Sequence, residues 1–232
     1  MHIYYGKINW LTYATDETFT LVLPRGFSKG DPVGAFWRWT VNNKGETNVN
    51  QNYIGKITSA DAAKREVVLF GEPDFYKFNA VQSEDGTSLT VTMSNKNGTT
   101  ASATNLTKVT LTGSDLSRSI GASVYTGKFN YHGFAKDEMM TIISPAYSGL
   151  KVPIVAIWQW TTDKDGNKKV TRVEGQDSVD SLVGQDIKFF QDHYYKFAGE
   201  ISKDGKTLAL KVKANDGYDS IDVKLELAQH YG

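Results

Sequence analysis

Trp37 and Trp39 stand two residues apart, and Trp158 and Trp160 repeat the arrangement. In an extended strand alternate side chains leave the same face, so each pair presents its indoles side by side. Such a pair has two chemical uses. Buried, it anchors a core through its large apolar area. Exposed, it is a platform on which the C–H faces of sugar rings stack, while nearby amides and charges hydrogen-bond the hydroxyls. A flat aromatic face at a barrel mouth also suits a small apolar ligand. Trp10 and Tyr131 hold a further matched aromatic position, beside Asn9 and Asn130. The candidate ligand-binding residues are therefore Trp37, Trp39, Trp158, Trp160, Trp10, Tyr131, Asn9 and Asn130. Arg38 and Gln159, between the tryptophans, point the other way, and a site on that face would differ in charge between the two copies.

Residues for catalysis or metal binding do not fall into a pattern. His2, His132, His193 and His230 have no histidine counterparts across the duplication: His132 aligns with Leu11, and His193 with Asp74. His193 beside Asp192 is the one histidine placed for acid–base work, and a strand-edge histidine explains it as well. No Gly-x-Ser-x-Gly element or His-x-x-x-His pair is present. Asp163-Lys164-Asp165-Gly166-Asn167 with Glu174 imitates part of a calcium loop, but Lys168 takes the place of the required glycine, so it reads as a hairpin turn. Gly6-Lys7 lacks the other glycines of a phosphate loop. There is no Cys, hence no disulfide or thiolate site. No metal or cofactor is expected, and the chain reads as a binding protein rather than an enzyme.

The elements that carry these residues are written twice. Tyr4-Tyr5-Gly6-Lys7-Ile8-Asn9 returns as Tyr125-Thr126-Gly127-Lys128-Phe129-Asn130, and Trp37 returns as Trp158, both at an offset of 121 residues. Phe75-Tyr76-Lys77-Phe78 returns as Tyr194-Tyr195-Lys196-Phe197 at an offset of 119, so the second copy has lost two residues. Pro24 and Pro145, Pro32 and Pro153, and Gly98 and Gly217 also match. Matched prolines and glycines mean matched turns. Two homologous domains follow, over 1–111 and 123–232, joined by a Ser- and Gly-rich linker over 112–122. Each is about 110 residues, long enough for its own core.

The dominant period is two. Leu208, Leu210 and Val212 alternate with Ala209, Lys211 and Lys213, and Leu89, Val91 and Met93 alternate with Thr90, Thr92 and Ser94. These are half-buried strands, separated by glycine-containing turns such as Asn43-Lys44-Gly45 and Asp204-Gly205. The only helical candidates are a short turn over Ser59–Lys64 and its counterpart over Ser178–Leu182. The fold class is all-β: two tandem antiparallel domains, each a sandwich or an up-and-down barrel.

Twenty-six basic residues balance 26 acidic ones, which removes a chain-wide footprint for nucleic acid or an anionic membrane. No apolar run of about 20 residues and no signal pattern occurs, so the chain is expected in the cytoplasm, or exported without a standard signal peptide, with no membrane insertion. Exposed strand edges would allow a homodimer. In type, the chain resembles small cysteine-free all-β lectins, though no family motif carries the likeness. The expectation is a non-catalytic, lectin-like protein that binds glycans or glycoproteins through two similar modules, gaining avidity from the pair. The alternatives are a barrel that binds or converts a small apolar ligand, and a structural or protein-interaction module.

Overall fold

A computed structural model describes residues 1–111, 121–145, 153–176 and 179–232. The chain divides into two compact units, Met1–Thr110 and Leu111–Gly232. The expected linker falls largely on 112–120, outside the described residues. Among the described residues every regular element is a strand.

The first unit is a closed antiparallel barrel in which each strand pairs with the next: β1 (His2–Trp10), β2 (Ala14–Leu23), β3 (Pro32–Val41), β4 (Thr47–Asp61), β5 (Glu66–Phe70), β6 (Tyr76–Gln82), β7 (Ser88–Asn95) and β8 (Thr104–Lys108). β8 returns to β1 through Tyr4–Lys108 and Tyr5–Thr107 and closes the ring. Closure abolishes the free strand edges of this unit.

The second unit repeats this order: β9 (Ala122–Tyr131), β10 (Ala135–Pro145), β11 (Ile154–Thr162), β12 (Lys168–Gln176), β13 (Ser181–Val183), β14 (Asp186–Phe189), β15 (Tyr195–Ile201), β16 (Thr207–Ala214) and β17 (Ile221–Tyr231). β17 pairs with β9, and β12 and β13 are the ends of the resulting nine-stranded sheet. What β4 does as one strand, pairing with both β3 and β5, β12 and β13 divide between them. The β13–β14 hairpin is also shorter than its counterpart. Asp61 and Glu66 are joined through residues 62–65, whereas Val183 and Asp186 are joined by Gly184 and Gln185 alone.

The period of two works as elementary packing requires. Leu89, Val91 and Met93 of β7, and Leu208, Leu210 and Val212 of β16, enter the two cores while the residues between them stay outside. Trp37 contacts Phe19 and Phe78 at ring separations of 5.9 and 6.2 Å. Trp158 contacts Phe129 and Phe197 at 6.0 and 6.2 Å. Each indole is thus the hub of its own core, a position that contributes several kcal/mol of burial and packing.

The helical candidates are corrected. Ser59–Asp61 completes β4, and residues 62–65 make the hairpin turn, where Asp61 Oδ1 accepts hydrogen bonds from the backbone N–H of Ala63 and Lys64. The residue pattern of a cap is present, but it serves a turn because strand pairing resumes at Glu66. In the second unit Ser181–Val183 is strand β13, and Ser178 lies outside the described residues.

Gly6 and Gly127 sit where first and last strands meet. A Cβ on Gly6 would lie 2.8 Å from the Asn105 carbonyl oxygen, and one on Gly127 would lie 2.5 Å from that of Lys224. The matched Gly-Lys pair is a closure device within the strand.

Candidate functional site

In an up-and-down antiparallel sheet, closed or not, alternate turns gather at one end. In the second unit these are the β9–β10, β11–β12, β14–β15 and β16–β17 connections, which contribute Phe134, Asp163–Asp165, Tyr194, and Asp216 with Tyr218. They surround an open pocket of about 670 Å³, floored by Trp160, Tyr131 and Tyr195 and edged by Val170, Thr171 and Arg172.

The floor is a continuous aromatic surface. Trp160 lies 5.6 Å from Tyr131, 5.7 Å from Tyr195 and 6.4 Å from Phe134, ring to ring. Phe134 continues to Tyr218 at 6.0 Å, and Tyr218 stacks on His132 at 4.5 Å. Tyr194 and Tyr218 are each 46% exposed, so part of each ring is open to a ligand, with His132 covering one face of Tyr218.

The polar groups are held firmly. Tyr131 donates its hydroxyl to Asp216 Oδ2 at 2.6 Å, and Asp216 Oδ1 accepts from the Tyr218 backbone N–H at 3.0 Å. Burial first, then the Asp216 carboxylate, pushes the Tyr131 hydroxyl well above its ordinary pKa, so it remains a donor. Burial, followed by the neighbouring Tyr194, pushes Tyr195 up to about 12. Arg172 donates from Nε to Glu174 Oε1 at 2.8 Å and also pairs with it through Nη2. Its guanidinium lies 5.8 Å from the centre of the Tyr195 ring, within cation–π range. His193 Nδ1 meets the other Glu174 oxygen at 3.2 Å. Trp160 is only 7% exposed, and its indole N–H has no acceptor among the described residues.

The eight residues singled out from the sequence divide into three groups. Trp37, Trp158 and Trp10 are buried, with exposures of 0%, 1% and 3%, and point into the barrels rather than offering a face to solvent. Trp39, Trp160 and Tyr131 are buried at the outer end of the cores, and Trp160 and Tyr131 line the pocket. Asn9 and Asn130 hold the β1–β2 and β9–β10 hairpins. Asn9 Oδ1 accepts from the Asp16 backbone N–H at 2.8 Å, and Asn130 Oδ1 accepts from that of Asp137 at 2.8 Å. Asp16 and Asp137 have φ of 49° and 50°, next to a register shift in each ladder. The matched Asn and Asp therefore fix a bulge with a left-handed residue.

The face opposite the tryptophans carries a second matched cluster. Arg38 pairs with buried Glu17, Nε to Oε2 at 3.0 Å, and Thr40 donates to Glu17 Oε1 at 2.5 Å. In the second unit Gln159 Nε2 donates to buried Glu138 at 3.0 Å and Thr161 donates at 2.6 Å. The Arg-to-Gln exchange thus changes how a buried carboxylate is satisfied.

Sequence reasoning missed Phe134, Arg172, Asp216 and Tyr218. Phe134, Asp216 and Tyr218 lie in connections between strands, and Arg172 lies within β12, so no periodicity sets them apart as a site. The available signal was topological: once an up-and-down order is assumed, aromatic residues in alternate turns must converge. The remaining histidines stay apart, His230 against Ser123 Oγ at 3.0 Å and His2 against Phe27. Burial, then the nearby positive charges, lowers His2 to about 4. Among the described residues no three His, Cys, Asp or Glu side chains gather to hold a metal ion. Comparison with protein-family models, curated proteins and solved structures found no match.

Proposed function

We propose that the protein binds carbohydrate, on glycans or glycoproteins, through the aromatic mouth of its second unit. One observation carries this reading: an open pocket of about 670 Å³ whose floor is aromatic and whose edge is polar. That volume accommodates one or two sugar rings. Tyr218 and Tyr194 supply faces for stacking, Trp160 an unused N–H donor, and Asp216, Asp163 and Thr171 acceptors for hydroxyl groups. The barrel interiors are occupied by packed side chains, which directs a ligand to the mouth rather than the core.

The equivalent end of the first barrel has a different composition. Trp10, Tyr13, Trp39 and Tyr76 stand at the positions of Tyr131, Phe134, Trp160 and Tyr195, but the Trp39 N–H is taken by Gln51 Oε1 at 3.1 Å. Thr99 replaces Tyr218, removing one stacking face. Recognition accordingly rests on the second mouth.

A glycan array probed with the wild type and with Tyr218→Ala tests the proposal. The expected result is a related set of bound glycans that the variant loses while its circular dichroism is unchanged. A blank array from folded protein, or identical binding by the variant, overturns it.

A further inference from the structure

The charges around the mouth differ between the two copies, and the difference has a sign. Asp163, Asp165 and Asp216 line the second mouth, against Lys164 and Arg172. Arg172 is already paired with Glu174, which lies behind it. Lys164 is left to face three carboxylates. At the positions of Asp163 and Asp216 the first unit carries Asn42 and Asn97, and at that of Arg172 it carries Gln51.

The turn itself does not need the charge. Asp163 Oδ1 accepts the backbone N–H of Asp165 and Asn167 at 2.9 and 2.8 Å, and Asn42 Oδ1 accepts those of Lys44 and Glu46 at 2.9 and 2.9 Å. An amide does the same structural work as the carboxylate. The Asp163 charge therefore adds something other than turn geometry: with Asp165 and Asp216 it makes an anionic edge around an aromatic floor. Aromatic faces and carboxylates together select a cation, because the ring quadrupole and the negative charge attract it in the same place.

We propose, resting on the carbohydrate reading above, that the saccharide taken by this mouth carries a protonated amino group, seated against the Asp216 carboxylate over the aromatic floor. Asp216 is the inner member of the acidic set. Tyr131 and the Tyr218 backbone fix its two oxygens, and remaining lone pairs are available to an ammonium. Neutral N-acetylated sugars retain the stacking but lose the charge-assisted bond, and uronates meet like charge.

The test is calorimetric titration at mildly acidic pH and low salt with four probes: an oligomer of glucosamine, its N-acetylated counterpart, an oligogalacturonate and tetramethylammonium. The glucosamine oligomer is expected to bind about fivefold more tightly than the acetylated one, the difference between a charge-assisted and a neutral hydrogen bond. The uronate is expected to bind most weakly. In Asp216→Asn, which installs the residue of the first copy, the advantage of the amino oligomer is expected to vanish. Equal affinities for amino and acetylated oligomers in the wild type overturn the inference and leave the carbohydrate reading standing. An advantage that survives in Asp216→Asn overturns the placement of the amine. Tetramethylammonium binding as tightly as the glucosamine oligomer overturns the saccharide component and keeps a cation site. No binding of any probe overturns the inference, while the carbohydrate reading stands or falls on the glycan array. Unchanged circular dichroism and thermal midpoint of Asp216→Asn separate lost recognition from lost folding.

Discussion

The mouths of the two units start from the same plan and end with different chemistry. Both place a Trp, a Tyr and a second matched aromatic residue at the outer end of the core. In the first, Gln51 covers the indole N–H of Trp39, and the turns carry Asn42 and Asn97. In the second, Arg172 is drawn to Glu174 and Tyr195, the Trp160 N–H meets no acceptor among the described residues, and the turns carry Asp163 and Asp216. Even the support beneath differs. Tyr53 accepts the Tyr76 backbone N–H at 2.9 Å in the first unit, whereas Glu174, at the position of Tyr53, meets His193, which stands at that of Asp74. The shared residues maintain the barrel; the exchanged ones set what its open end can hold. Duplication preserves packing under tight steric limits and leaves the turns free to diverge.

The comparison breaks most severely at the shared residues. Trp37→Ala and Trp158→Ala are each expected to cost about 3–5 kcal/mol and to unfold the barrel that carries them, read by urea denaturation. A variant that keeps near-wild-type stability would mean that the indole is not a core hub. Next comes the buried carboxylate. Arg38→Gln gives Glu17 the partner that Glu138 has, and is expected to cost about 1–3 kcal/mol, since an amide replaces a charged donor in a site shaped for arginine. A change under about 0.5 kcal/mol would make the two solutions interchangeable. Asn130→Ala removes the bond that holds the Asp137 backbone N–H and is expected to cost about 1 kcal/mol.

A pH experiment sharpens the comparison. Tyr195 has its pKa raised in the folded chain, to about 12, above an ordinary value of 10.0. The neutral phenol is favoured in the folded state, so its contribution to stability is whole below pH 10 and is lost as pH rises toward 12. Denaturation midpoints of the wild type and Tyr195→Phe are expected to run parallel up to pH 10 and to converge or cross above it. Parallel lines throughout would place the tyrosine in ordinary solvent. The smallest expected effect on stability is that of Tyr218→Ala, within about 1 kcal/mol, because this ring is half exposed and leaves the core intact. Its effect on ligand binding is expected to be complete loss.

Much of the fold was legible because it obeys short-range rules. The alternation in β7 and β16, the matched glycines and the Trp-x-Trp strands each translate directly into one physical requirement. The same rules could not separate an indole facing a core from one facing solvent, since both lie on one face of a strand. Trp37 and Trp39 differ only in depth along the barrel axis, which needs the closed ring to define it. Asn9 and Asn130 drew notice as matched polar residues beside aromatics, and their use proved to be a backbone bulge. Phe134, Tyr194, Asp216 and Tyr218 meet only because alternate turns share an end of the barrel. Tyr194 was visible as part of the repeat, but nothing local announced that it would face Asp216 across a pocket.

The most direct measurement is calorimetric titration of the intact chain with a glycan selected on the array, repeated with Tyr218→Ala. One site per chain, lost in Tyr218→Ala with folding unchanged, is the result expected if the second mouth alone recognises sugar. Two equivalent sites per chain, or a site indifferent to Tyr218→Ala, would contradict it.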